Sequence, residues 1–84
     1  MPHVIRFASR AQRALAGLER RIQERIAQAI TELADAPRPR GVKKLKGGTG
    51  YRLRVGDYRV IYEIDDAAGT VTITVISHRQ SAYR

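Results

Sequence analysis

YRLRVGDYRVIY, residues 51–62, reads as two short strands joined by a two-residue turn at Gly56-Asp57. Glycine in the first turn position suits a type II′ hairpin, which needs a positive φ there that a residue with a Cβ resists. The two-residue turn also sets the register, so Val55 faces Tyr58 and Arg54 faces Arg59. Alternation sends Tyr51, Leu53, Val55, Tyr58, Val60 and Tyr62 to one face and gathers Arg52, Arg54 and Arg59 on the other. Residues directly opposed on an antiparallel pair lie about 5 Å apart, where like charges repel by roughly 1 kcal/mol in water and several times that at lower dielectric. A bound anion would relieve that repulsion. The plain alternative is two long side chains splaying apart on a solvated face.

The strands beyond the hairpin extend the pattern. After the turn DDAAG (65–69), Val71, Ile73 and Val75 alternate with Thr70, Thr72 and Thr74, as expected for a strand with one buried and one exposed face. Hydrophobic matching pairs Ile64 with Val71, Tyr62 with Ile73 and Val60 with Val75. This register puts Ile64, Val71, Ile73 and Val75 on the apolar face, and Ile61, Glu63, Ile76 and His78 with the arginines. It also sets residue 78 across from Asp57, so His78 and Arg79 approach the arginine cluster.

Upstream, HVIRF (3–7) is a short strand candidate followed by Ser9, a candidate helix cap. Leu15, Leu18, Ile22, Ile26, Ile30 and Leu33 recur at steps of three and four, the helical period. Gly17 interrupts the run and is read as a left-handed helix end, giving two helices near 9–16 and 19–35. One longer helix is the alternative, with Gly17 costing about 1 kcal/mol relative to Ala. Pro37 and Pro39 stop the pattern, and PRPRGVKKLKGGTG (37–50) reads as a cationic loop. The expectation is an α+β fold: an N-terminal strand and a helical hairpin packed on one face of a mainly antiparallel four-stranded sheet, leaving the basic face open.

Eighty-four residues with 43% hydrophobic content suffice for one domain, 1–84, with one modest core. No cysteine is present, which removes disulfides, thiolate metal sites and cysteine nucleophiles. With no apolar leader in MPHVIRFASR and no run of 18 apolar residues, a soluble, cytoplasmic protein is expected. The net charge of +8 is unevenly spread: residues 1–36 carry +2, residues 37–62 carry +7 and residues 63–84 carry −1. Such a concentration calls for a polyanionic partner, and without an adjoining amphipathic anchor helix, nucleic acid is favoured over a membrane.

The tail SHRQSAYR adds His78, Arg79 and Tyr83 to the arginine surface. RNA phosphodiester cleavage needs a group to take the 2′-hydroxyl proton, one to protonate the leaving 5′ oxygen, and cations for the charge on the phosphate. Arginine matches phosphate bidentately, and no carboxylate cluster shares this face, so neither a metal nor another cofactor is expected. Lys43, Lys44 and Lys46 are read as RNA-binding cations, attracting phosphate without taking part in chemistry. Tyr51, Tyr58 and Tyr62 belong to the apolar face and are read as core aromatics.

The segments LKGGTGYRLRVGDYRVIYEI and VTITVISHRQSAYR resemble the RelE/ParE superfamily of bacterial toxins, specifically its RelE-like branch. The likeness spans nearly the whole chain. It implies a microbial-RNase-like fold and a metal-independent mRNA endonuclease acting in the ribosomal A site, held in a hetero-oligomer by a RelB-like antitoxin. It marks Arg52 and Arg54 as substrate-strand cations, Arg54 in RNA binding and Arg52 within the catalytic set. It also marks Arg59 as the phosphate and transition-state ligand, Arg79 as a catalytic cation and Tyr83 as the residue near the attacking hydroxyl. Lysines stand in the best-known RelE-type enzymes where this chain has Arg52 and Arg54, so Tyr83 or His78 would serve as base. A ParE-like gyrase inhibitor and a non-catalytic basic nucleic-acid module are the alternatives.

Overall fold

A computed structural model of the protein describes residues 2–48 and 50–78. The elements run β1 (Val4–Phe7), α1 (Ser9–Ala16), α2 (Arg20–Glu32), β2 (Lys43–Lys44), β3 (Gly50–Val55), β4 (Tyr58–Asp65) and β5 (Thr70–His78). One sheet results, in the order β1-β5-β4-β3-β2, with β1 parallel to β5 and the remaining pairs antiparallel. The α+β class agrees with the sequence reading. The sheet has five strands where four were expected, because Lys43-Lys44 leaves the loop to pair with Arg52 and Tyr51 of β3.

The hairpin follows its sequence. Gly56 adopts φ +60° and, among the described residues, every positive φ belongs to a glycine, so Asp57 keeps a negative φ and the turn has the II′ sense. Val55 pairs with Tyr58 and Arg54 with Arg59. The two helices also fall where the periodicity puts them, but their ends differ in mechanism. Ala8, with extended φ and ψ, occupies the N-cap of α1, so Ser9 lies inside the helix and makes no cap hydrogen bond. Gly17 ends α1 at φ −85°, in the right-handed region, with its N–H donating to the Arg13 carbonyl and the following Leu18 N–H to that of Leu15. Glycine acts here through its low helix propensity, about 1 kcal/mol below Ala, and not through a left-handed cap.

Ala11 of α1 and Ile26, Ile30 and Leu33 of the α2 stretch bury against Val55, Val60, Tyr62, Val71, Ile73 and Ile76 of the sheet. Each fully buried aliphatic side chain contributes about 1.5–3 kcal/mol by transfer out of water. Ile76 in that set corrects the sequence register. Ile64↔Val71 and Tyr62↔Ile73 pair as matched, but a bulge beside Ile61 and Tyr62 inserts Thr74, so Val60 meets Ile76 and Ile61 meets Val75. The Thr74 hydroxyl donates to the Ile61 carbonyl and its own carbonyl accepts from Arg10 Nε, so the extra residue is satisfied by side-chain hydrogen bonds. Beyond the bulge every side chain changes face: Ile76 turns into the core and Val75 out of it.

Tyr62 is fully buried, and its hydroxyl donates to the Pro37 carbonyl at 2.7 Å. Burial pushes its phenol up to about 12, with the neighbouring Tyr51 adding to the shift. At the same end of the sheet a polar chain ties four segments together. His3 Nε2 lies 3.1 Å from Asp66 Oδ1, Asp66 Oδ2 accepts from Arg38 at 3.0 Å, and Arg38 Nε donates to the Tyr51 hydroxyl at 3.2 Å. Arg38 also lies over the Tyr51 ring, which stacks on Tyr62. The Arg38 guanidinium, and then His3, hold the Asp66 carboxyl below its usual range.

Candidate nucleic-acid interface

The sheet face away from the helices is built from the residues that alternate with the core. Arg52 pairs with Ile61 and Arg54 with Arg59, so the three hairpin cations share this face as the alternation requires. Arg54 is exposed, whereas Arg52 and Arg59 are half-buried. The half-buried guanidiniums lie on a surface less hydrated than open water, where a phosphate is held more strongly. Arg59 continues across the sheet to Ser77 of β5. Lys43 joins the face opposite Arg52, because β2 carries it there.

Two of the site residues named from sequence lie off this face. Lys44 pairs with Tyr51 and so projects to the side of the sheet that bears the core. His78 pairs with Tyr58, not with Asp57, because the bulge shifts the register by one. Its ring stands edge-on to Tyr58 with centroids 5.2 Å apart, on the helix-bearing side and away from Arg54 and Arg59. Lys46 lies exposed in the loop beyond β2. Arg79 and Tyr83 lie outside the described residues.

Several cations enter the picture only with the fold. Arg6 of β1 pairs with Thr72 and so extends the open face. Arg25 of α2 stacks its guanidinium against the hairpin turn, where a Cβ on Gly56 would meet Arg25 Nη1 at 3.1 Å. Arg25 and Arg40 line, with Glu32 and the apolar Ala29, Leu33, Leu53 and Val55, a groove of about 410 Å³ between α2 and β3. No spacing in the sequence signals this groove, since its lining comes from a helix, a loop and a strand. Among the described residues no three His, Asp or Glu side chains converge as a metal site would require, and no helix is long and apolar enough to cross a membrane.

Comparison with known proteins agrees with this architecture. Residues 5–83 match the family model described as ParE toxin of type II toxin-antitoxin system, parDE. The chain is 36% identical to Toxin RelG of Mycobacterium tuberculosis over 87 residues, covering 100% of this chain and 99% of that protein. It superimposes with a TM-score of 0.84 on a chain of the RelBE2 toxin-antitoxin complex from Mycobacterium tuberculosis, at 33% identity, covering 94% of this chain and 100% of that one. The archaeal RelE-RelB complex from Pyrococcus horikoshii matches with the same TM-score at 29% identity, over 94% of this chain and 97% of that chain. By the extent of the family match, the identity to RelG and the shared fold, this chain belongs to the RelE/ParE superfamily and is a toxin of a type II toxin-antitoxin system.

Proposed function

We propose that the protein is a ribosome-dependent, metal-independent mRNA endoribonuclease, silenced by a cognate RelB-like antitoxin. The observation that carries this reading is the facing of Arg54 and Arg59 on the sheet face away from the helices, with Arg52 further along the same face. Such an array suits a phosphodiester: planar guanidiniums bind its oxygens in pairs and stabilise the charge that grows on them as the phosphorus becomes five-coordinate. The 2′ oxygen bonds to phosphorus, the bond to the 5′ oxygen breaks, and the products are a 2′,3′-cyclic phosphate and a free 5′-hydroxyl.

In this mechanism Arg52 and Arg54 hold the substrate strand and Arg59 grips the reacting phosphate. Tyr83, as its phenolate, takes the 2′-hydroxyl proton and becomes the neutral phenol, and Arg79 stabilises the leaving 5′ oxygen, which recovers a proton from solvent. The reading leaves the base to Tyr83 and not to His78, whose ring stands edge-on to Tyr58 on the helix-bearing side. A site with so few acid and base groups depends on positioning, which can supply about 7–11 kcal/mol of a barrier, and the ribosome is the partner that would position the strand. For the antitoxin, the groove between α2 and β3, with Arg25 and Arg40 beside its apolar lining, suits an amphipathic segment that carries carboxylates.

A gyrase inhibitor of the ParE type is the second reading, favoured by the description of the matching family model. Translation of a defined mRNA in a purified bacterial system, with 5′ ends mapped and naked mRNA as control, separates the two. Cuts at the A-site codon only when ribosomes are present support the endonuclease. Absence of cuts with folded protein, together with inhibited DNA supercoiling by gyrase, transfers the assignment to the second reading.

A further inference from the structure

Four strands of the sheet each contribute one residue to a single straight row on the open face. Lys43 of β2 pairs with Arg52 of β3, Arg52 with Ile61 of β4, and Ile61 with Val75 of β5. Paired residues in antiparallel strands project to the same side, so the row reads cation, cation, aliphatic, aliphatic over about 14 Å, three inter-strand spacings. Both halves depend on irregular features. Lys43 reaches the row through the two-residue strand β2, and Val75 reaches it through the Thr74 bulge, which otherwise would leave Thr74 there. Ile61 and Val75 are half-buried although the helices cover the opposite face. Leu45, just past β2, lies beside the row as well: a Cβ on Gly50 would meet Leu45 Cδ1 at 3.1 Å and Ile61 Cγ2 at 3.8 Å, so both side chains flank this glycine.

The next row along the hairpin holds Arg54, Arg59 and Ser77. The two rows lie two residues apart along the strands, about 7 Å, so a phosphate held there sets the Lys43–Val75 row within reach of a neighbouring nucleotide. We infer that this row is a nucleotide subsite, in which Lys43 and Arg52 hold the phosphate adjoining the cleaved one and Ile61 and Val75 seat its base. A single-stranded polyanion that carries apolar base faces matches both halves of the row: the charge of the cations and the flat aliphatic end. The inference rests on the endonuclease reading and adds a subsite to it. It also divides the lysines: Lys43 faces the strand, while Lys44, next in sequence, projects to the other side.

The test uses the purified translation system with an mRNA presenting many codons. Lys43→Gln is expected to lower cleavage by about tenfold, the worth of one charge-assisted hydrogen bond, and to do so evenly across codons, as loss of a phosphate contact should. Lys44→Gln makes the same change of net charge on the other side and should cost several-fold less. Ile61→Ala and the near-isosteric Val75→Thr should instead reorder the codons by cutting frequency, with thermal midpoints checked so that folding loss is set apart. Equal effects of Lys43→Gln and Lys44→Gln, or an unchanged codon order in both aliphatic variants, overturn the subsite. If the unsubstituted protein makes no cuts at all, it is the endonuclease reading that fails.

Discussion

Arg54 stands directly across from Arg59 on the open face, one pair before the Gly56-Asp57 turn. Two guanidiniums in cross-strand register cost stability and concentrate positive potential where an anion can land. Replacing the exposed partner separates the two effects. Arg54→Gln should raise the thermal midpoint at low ionic strength by about 2–4 °C, equivalent to roughly 0.5 kcal/mol in a domain this size. The gain should shrink in 0.5 M salt, where the Debye length falls below about 5 Å. Growth arrest by the same variant should weaken. A midpoint that falls at every ionic strength would show that the pair is not repulsive.

The bulge makes a prediction opposite to that of simple alternation. Ile76 is 6% exposed in the core and Val75 lies on the open face. Ile76→Thr should therefore cost about 2–3 kcal/mol, by loss of buried aliphatic volume and burial of a hydroxyl, while Val75→Thr stays within about 1 kcal/mol. Chemical denaturation of the two variants checks the order. The reverse order would restore the unbulged register.

Tyr62 couples stability to alkaline pH. Its phenol titrates at about 12 in the fold against 10 when free, so the folded state favours the protonated form. This contribution is complete below pH 10 and is lost as pH rises toward 12. Tyr62→Phe should lose about 1 kcal/mol at neutral pH, with the hydrogen bond to Pro37, and should show a flatter decline between pH 10 and 12. Denaturant midpoints measured across that interval test the difference in slope.

Asp66 acts at the other end of the scale. Arg38 and His3 hold its carboxyl down, so the stability it contributes is present above the ordinary carboxylate range and is lost as pH falls through its lowered value. Asp66→Asn should reduce the acid dependence of unfolding below about pH 4 and loosen the start of the cationic loop at Arg38. Hydrogen exchange at the β2 amides reports the second effect. Equal exchange in both proteins would confine the ion pair to the surface.

Gly56 combines a left-handed φ with the Arg25 guanidinium packed against it. Gly56→Ala should cost about 1–2 kcal/mol, chiefly from the backbone, since the Arg25 side chain is flexible enough to move aside. Gly56→Asn should recover part of the loss, because Asn tolerates positive φ better. Thermal unfolding of the pair distinguishes backbone strain from crowding.

The local chemistry of this chain was written plainly in its sequence. A glycine in the first position of a two-residue turn set the β3–β4 register, and period-two alternation then placed Arg52, Arg54 and Arg59 on one face and Leu53, Val60 and Tyr62 on the other. The step of three and four from Leu15 to Leu33 located the helical cover. These signals are strong because each is decided by backbone sterics or by burial within one element and its nearest neighbour. What the sequence did not carry were the features that depend on a distant partner. Lys43-Lys44 has no alternation or β-branched residue to mark it as a strand, and becomes one only because β3 offers a free edge. Thr74 continues a regular Thr/aliphatic alternation, yet it is extruded because Ile76 fills the core opposite Val60 better than a register with Val75 there would allow. That single inserted residue turned His78 toward Tyr58 and away from the arginines, and brought Val75 beside Ile61. Which residues share a strand's face is a local property, but which strands meet, and with what slip, is settled by packing across the whole core.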